Sequence, residues 1–128
     1  MRVSSRCDDR PVKYVRLYAG DDGQARFEDL EFTFAPRDFA PPAPPVNVSE
    51  PVEASAFMML RLPAGWRDAA HPAPARQFMI LVAGSAEVAA GDETRLLSTG
   101  DVILVEDTTG PGHGTTVLED AVVAVVRV

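Results

Sequence analysis

The stretch GWRDAAHPAPARQFMILVAG, residues 65–84, places one histidine ahead of an apolar run that is led by a glutamine and closed by a glycine. Five residues separate Gly65 from His71, Gln77 stands six positions after the histidine, and six more residues lead to Gly84. Apolar runs of this length, bounded by glycine or proline, are typical of strands that are packed on both faces. The stretch therefore predicts a buried strand that runs from the glutamine to the residue before the closing glycine.

The spacing of three residues in this stretch, a histidine, an alanine and a glutamine, matches a known motif in part. Ala73 follows His71 by two positions, and Gln77 follows Ala73 by four. This spacing resembles the first motif of the cupin superfamily, G-x5-H-x-H-x3,4-E-x6-G, with Ala73 at the second histidine position and Gln77 at the glutamate position. The resemblance implies a small β-barrel with these side chains facing its interior. It also implies that two of the three metal ligands of this motif have been replaced.

A second part of the resemblance begins at Gly100. The run GDVILVEDTTGPGHGTT, residues 100–116, follows the frame of the family's second motif, G-x5-P-x-G-x2-H-x3-N. Pro111 stands at the histidine position, and His113, the only other histidine of the chain, comes two residues later. A displacement of two residues keeps the parity of a strand, and the neighbouring glycines allow the loop to bulge. The resemblance thus covers residues 65–116.

The remaining chain has the pattern of an all-β protein. Short runs rich in β-branched and aromatic residues alternate with turn-like glycine, proline and aspartate, and no long helical period is present. Together with the resemblance, this pattern predicts a single domain over residues 1–128 with a cupin-type jelly-roll β-barrel. The predicted strands cover residues 12–19, 25–34, 54–62, 77–83, 86–90, 94–97, 101–106, 115–118 and 121–128.

The segment over residues 36–51 is rich in proline. It carries six of the eleven prolines of the chain. Proline lacks a backbone donor and biases the residue before it toward extended conformations. The segment is therefore predicted to be a connector that wraps the barrel and contributes no sheet interior, with a polyproline ligand for a partner as the alternative.

Charge and composition limit the classes of partner. The net charge of −7 and the pI near 4.7 argue against nucleic acid and against an anionic membrane surface, because both need clustered basic residues. The start of the chain lacks the apolar centre of a secretory signal, and the single cysteine, Cys7, fits a bystander thiol, so a cytoplasmic location is expected. The apolar C-terminal run AVVAVVRV and the apolar strand after Gln77 predict a homodimer.

Strand alternation predicts one convergent pocket. If residues 71–81 are extended, their odd-numbered members share the inward face. The inward set is His71, Ala73, Gln77, Met79 and Leu81. The residues predicted to bind a small molecule are His71, Gln77, Met79, His113 and Phe57.

A metal at this site would be held by a reduced set of ligands. His71 and His113 would supply imidazole nitrogens and Gln77 a weak amide oxygen, which suits a divalent transition metal such as Zn, Fe, Ni or Cu. Glu106 or Asp107 would add the missing carboxylate, although an exposed acidic strand end is the more ordinary role for both. Two competing interpretations need no metal. In one, His71 forms hydrogen bonds within the barrel mouth and His113 lies in a solvated glycine-rich loop; in the other, the histidines transfer a proton.

Three functions are compatible with these residues, because the cupin fold serves many activities. The favoured one is a protein that binds a small polar molecule in the barrel with a degenerate or absent metal site. The second is a metal-dependent enzyme of the isomerase or dioxygenase type that uses His71 and His113. The third is a purely structural dimer, which a filled barrel without a pocket would indicate.

Overall fold

The computed structural model describes residues 10–128, so Cys7 lies outside the described residues. The described chain forms nine β-strands. These are β1 (Lys13–Ala19), β2 (Ala25–Glu31), β3 (Phe34–Arg37), β4 (Val46–Ser49), β5 (Ala56–Leu62), β6 (Gln77–Ala90), β7 (Glu93–Ser98), β8 (Val102–Val105) and β9 (Gly114–Arg127). Among residues 10–128 there is no helix with the length and apolar character needed to cross a bilayer.

One mixed sheet contains seven of these strands. Its order is β2-β1-β8-β6-β9-β5, and β7 pairs with the second half of β6. β6 and β9, each of 14 residues, pair along most of their length and form the centre of the fold. All pairs are antiparallel except β1 with β8, which is parallel. The fold is therefore all-β, as predicted.

Gly84, which closes the first motif, lets the long strand β6 follow its neighbour. The register between β6 and β9 shifts repeatedly between Leu81 and Ala86. Gly84 lies within this region with a φ of 87°, and a Cβ there would overlap the carbonyl oxygen of Asp120 on β9. Only glycine allows such a close approach of two backbones at a positive φ. The strand predicted to end before Gly84 thus continues through it to Ala90.

The hydrophobic core lies on the inner face of the curled sheet. Leu17, Val105, Val117 and Val125 are the largest apolar side chains that are fully buried, and they come from β1, β8 and β9. Burying one such side chain is worth about 1.5–3 kcal/mol. The alternation of β-strand side chains leaves the opposite face of the same strands for solvent or for a partner.

Strand β5 differs from its prediction as a buried strand. It is an edge strand that pairs with β9, and its exposure alternates along its length. Met58, Leu60 and Leu62 face the core, whereas Phe57 and Met59 are 68% and 50% exposed. The prediction that Phe57 contributes to a binding pocket is wrong, because Phe57 lies on the outer face of this edge strand.

The proline-rich segment contains a small hairpin of its own. β3 and β4 form a separate two-stranded sheet, and the prolines over residues 41–45 lie between them. No central strand runs through those prolines, as the sequence predicts. Strand β2 ends at Glu31, so the alternating strand predicted to continue to Phe34 is interrupted and Phe34 belongs to β3.

Candidate functional site

The inner face of the sheet encloses a cavity of about 460 Å³. Most of its wall is aliphatic, with contributions from β5, β6, β8 and β9. The predicted inward set lies on this wall, comprising His71, Ala73, Gln77, Met79 and Leu81, and His113 joins it. The alternation of residues 71–81 thus correctly places these side chains together, although only the part from Gln77 onward is regular strand.

An isolated β-bridge brings the two histidines together. The amide of His71 donates to the carbonyl of His113 and the amide of His113 donates to the carbonyl of His71, each at 3.1 Å. The ring centroids are 5.7 Å apart. Gly112 permits this approach, because its φ is 73° and a Cβ there would overlap the carbonyl oxygen of His71. Gly112 therefore permits the close pairing of the two loops.

His113 is held by a buried carboxylate. Its Nδ1 donates to Oδ2 of Asp107 at 2.6 Å. Asp107 is 0% exposed, and its Oδ1 is the only buried side-chain oxygen or nitrogen without a partner among the described residues. His113 is 9% exposed and lies on the cavity wall, whereas Asp107 does not. The ring thus stands between the carboxylate and the cavity, and Nε2 is the nitrogen left for a bound molecule.

His71 has a different hydrogen-bonding pattern. Its Nδ1 donates to the carbonyl oxygen of Pro72 at 2.9 Å, and its Nε2 donates to Oδ2 of Asp68 at 2.6 Å. The other oxygen of Asp68 accepts from the amide of Thr115 at 2.7 Å, which ties the loop before His71 to β9. Both ring nitrogens can donate together only in the imidazolium form. The bond to Pro72 and then the bond to Asp68 raise the pKa of His71 above its ordinary value of 6.5.

A titration tests this arrangement directly. The ring resonances of His71 are expected to titrate above pH 6.5 in the folded protein, and Asp68→Asn should move the midpoint downward. Because the folded-state pKa is raised, the associated stability is fully present below the unfolded value and is lost as pH rises through the folded value. NMR of the His71 ring in the wild-type protein and in the variant measures both midpoints. A His71 midpoint at or below 6.5 would contradict the hydrogen bonds described here.

The consecutive acids Glu106 and Asp107 have separate roles. Glu106 accepts from Arg16 Nε at 2.6 Å and from Arg76 Nε at 2.8 Å. Burial opposes its ionisation, but the hydrogen bonds from Arg76 and Arg16 outweigh burial and hold the pKa of Glu106 below its ordinary value. The ordinary role predicted for both acids, an exposed strand end, is wrong for Asp107, which is completely buried against His113.

Gln77 starts β6 as a buried side chain, 7% exposed. Its Oε1 accepts from Arg127 Nε at 3.3 Å, and its Nε2 lies 4.0 Å from the sulfur of Met79. The side-chain amide oxygen of Gln77 therefore already accepts a hydrogen bond from a guanidinium group. Gln77 and Met79 lie on the cavity, as predicted, while the weak ligand role given to Gln77 competes with Arg127.

Sequence reasoning missed the contribution of Asp68 and misjudged that of Asp107. Asp68 precedes His71 by three residues, and Asp107 precedes His113 by six. A carboxylate close in sequence to each histidine was the available signal. It did not suffice, because the contacts depend on how two irregular loops fold back on themselves.

The donor atoms do not fit the four-ligand metal site implied by the cupin resemblance. Both nitrogens of His71 donate hydrogen bonds, Ala73 supplies no donor atom, and Gln77 offers a shared amide oxygen. Within residues 10–128 no three histidine, cysteine, aspartate or glutamate side chains are grouped so as to hold a metal ion. His113 Nε2 remains as one well-oriented imidazole donor.

Comparisons with known proteins agree with the fold. No protein-family model matches the chain, and no curated protein matches it. A conserved protein of unknown function from Streptococcus pyogenes is similar in structure, with a TM-score of 0.50 and 19% identity over 62% of this chain and 68% of that one. That likeness shows a shared fold alone.

Two further structures with cupin domains are also similar. A cupin-2 domain-containing protein from Shewanella frigidimarina has a TM-score of 0.49 and 16% identity over 73% of this chain and 78% of that one. The cupin domain of Cnp3 from Schizosaccharomyces pombe has a TM-score of 0.45 and 12% identity over 89% of this chain and 85% of that one.

The sheet, the cavity and the motif frame together define the kind of fold. An all-β sheet curls around an inner cavity, and the Gly65–Gly84 frame leads into its central strand. The chain therefore has an all-β fold of the cupin type.

Proposed function

We propose that the protein binds a small molecule with an apolar body and one polar head in the cavity of the sheet. The cavity carries this proposal, since about 460 Å³ is within the range of small-molecule sites and its wall is mostly aliphatic. A filled barrel, which would have favoured a purely structural protein, is not what the described residues form. The aliphatic wall also refines the predicted ligand, because a wholly polar molecule would lose hydration there without replacement.

The polar head would lie at the end of the cavity that holds the histidines. His71 brings a positive charge in its imidazolium form, and His113 Nε2 is free to exchange a hydrogen bond with a ligand. An acidic or carbonyl-containing head suits these two groups better than a basic one. The aliphatic side chains of β6 and β9 would then contact the body of the ligand.

Trp66 allows binding to be measured without a label. It lies on the cavity wall and is the only tryptophan of the chain, so its fluorescence reports occupancy. Titration with medium-chain fatty acids is expected to change this signal to saturation. Val88→Phe, which fills the cavity from β6, should weaken binding at least about tenfold because one excluded ring-sized volume removes ligand contacts.

A matched substitution on the other face of the same strand provides the control. Val82 is 50% exposed on β6, so Val82→Phe adds the same side chain outside the cavity and should leave affinity unchanged. Equal loss in both variants, or saturation that survives Val88→Phe unaltered, would place the ligand elsewhere.

A metal-dependent enzyme is the second candidate, and one observation favours it. A carboxylate bonded to one imidazole nitrogen, with the other nitrogen free, is how proteins orient histidine ligands of metals. His113 and Asp107 have that arrangement. Metal analysis of protein purified without added metal or chelator tests this candidate, and His113→Ala should then lower the metal content together with ligand affinity.

The protein is further proposed to form a homodimer. On the edge strand β5, Phe57 and Met59 are 68% and 50% exposed, and exposed apolar residues on an edge strand usually mark an interface. A second copy of the chain, adding strand to strand, would cover both. Light scattering at tens of micromolar should give twice the chain mass, and Phe57→Lys should give the monomer. A monomeric wild-type protein at that concentration would contradict the proposal.

A further inference from the structure

We propose that His113, held by Asp107, acts as a general base that removes a proton from a weakly acidic C–H bond of a molecule bound in the cavity. This inference rests on the proposed binding function, because the base can act only on what the cavity admits. The substrate class is an apolar carbon acid, such as a molecule with a carbonyl group next to the C–H bond.

The geometry of the pair supports a base at this position. Nδ1 of His113 donates to Asp107 at 2.6 Å, which fixes the tautomer and leaves the lone pair on Nε2. Among residues 10–128, no protein group is bonded to Nε2, and this nitrogen is not one of the buried atoms without a partner. An oriented imidazole with an accessible lone pair is the usual general base of proteins.

Asp107 has an unpaired buried oxygen, which a residue that only holds the loop in place would not need. Its side chain is completely buried, yet Oδ1 has no partner. An unpaired buried oxygen costs free energy, whereas an asparagine or a backbone carbonyl could accept the same bond from Nδ1 without a carboxylate. A carboxylate becomes useful when the ring must gain a positive charge, because it stabilises the imidazolium that forms after proton transfer.

The surroundings of His113 fit the charges of the step. A molecule bound against the aliphatic wall of the cavity would shield the base and the C–H bond from water. The ring of His71 lies 5.7 Å from that of His113, centroid to centroid. Both nitrogens of His71 already donate to Pro72 and Asp68, so it contributes through its positive charge rather than through a new hydrogen bond. That charge would stabilise a developing anion on the substrate.

The step balances without a further reactant. The C–H bond breaks and its proton forms an N–H bond at Nε2 of His113. The electron pair of the C–H bond becomes the new carbon–carbon double bond, and the carbonyl pair moves onto oxygen to give an enolate. Return of the proton from Nε2 to another carbon of a conjugated enolate, on the face that the ring contacts, completes an isomerisation. No electron is gained or lost overall.

A carbon acid with a coloured product tests the base before any natural substrate is known. In nitrobenzisoxazole, removal of the ring C–H proton breaks the N–O bond and forms a nitrile and a coloured phenolate. We expect the protein to accelerate this elimination at least about 100-fold over free imidazole at equal concentration, as general bases typically do. His113→Gln should abolish the acceleration. His113→Ala should regain it when imidazole is added, because the small base can enter the vacated space.

Asp107 acts through His113 and is a positioning residue. Asp107→Asn is expected to lower kcat about tenfold or more with KM unchanged, since the ring keeps its place but loses its carboxylate. Asp29→Asn removes an exposed carboxylate on β2 and should change neither constant. Thermal melts of each variant show whether it is folded.

The outcomes separate this inference from the binding function. Trp66 fluorescence shows whether the probe enters the cavity, independently of turnover. Binding with a rate no higher than that of free imidazole would overturn the general-base role and leave the binding function intact. Turnover that survives His113→Gln, or His113→Ala that imidazole fails to rescue while still folded, would overturn it as well. If the probe does not bind, the fatty-acid titration follows. If fatty acids then bind but no carbon acid small enough for the cavity does, the inference is wrong.

Discussion

Gly112→Ala is expected to destabilise the protein by about 3 kcal/mol or more, one of the largest effects of any single substitution in this chain. Gly112 has a φ of 73°, and an added Cβ would overlap the carbonyl oxygen of His71. That carbonyl accepts the amide of His113 in the bridge that joins the two loops. The substitution therefore adds backbone strain and separates the histidines.

Gly100→Ala is the matched control for that substitution. Gly100 has a φ of 95°, but nothing lies within 4 Å of an added Cβ. Its cost should be limited to the strain of a positive φ, about 1–2 kcal/mol. Denaturant unfolding with an unchanged m-value measures both differences. If Gly112→Ala costs no more than Gly100→Ala, the contact between the two loops is looser than described.

Local chemistry accounts for the parts of the fold that the sequence predicts well. The hairpin of β1 and β2 turns at Gly20–Gly23, where the amide of Gly23 donates to the carbonyl of Gly20. The hairpin of β6 and β7 turns at Gly91 with a φ of 61°. In each case the residue type, glycine, is the one that predicts a positive φ or a tight turn.

Strand β5 shows where alternation was ambiguous. Both faces of AFMMLRL carry large apolar residues, so hydrophobicity alone does not identify the inner face. Arg61 shares its parity with Phe57 and Met59, and its charge marks that side as the outer one. The placement of Phe57 in the pocket ignored this single polar residue.

The burial of Asp107 was not available from the sequence. Consecutive residues of a strand point in opposite directions, so the sequence predicts that one of Glu106 and Asp107 faces inward. Which of them does so depends on the loop between β8 and the bridge at His113, where two glycines remove any fixed register. The position of His113 could thus be predicted from the motif, whereas the carboxylate that orients it depends on the tertiary structure.

The double substitution Ala73→His with Gln77→Glu is expected to raise the affinity for Ni²⁺ or Zn²⁺ at least about 100-fold over the wild-type protein. Ala73 is 4% exposed and lies on the wall of the cavity, so a side chain there would reach the space next to His113. The two substitutions introduce the imidazole and the carboxylate of the cupin motif at two positions that both lie on the cavity wall. Calorimetric titration of the metal measures the change.

Gln77→Glu alone should give a smaller gain in metal affinity, because it adds a carboxylate without a further imidazole. Val82→His places an imidazole on the outer face of β6, where no gain in metal affinity is expected. A double variant that binds no better than the wild type while still folded would show that the cavity wall departs from the family's ligand geometry. Wild-type protein that already binds as tightly would show that His113, His71 and Gln77 form a working metal site, and the metal-dependent candidate would replace metal-free binding. If the gain appears as expected, Ala73 and Gln77 are the reason why the native cavity lacks the donor set of the cupin metal motif.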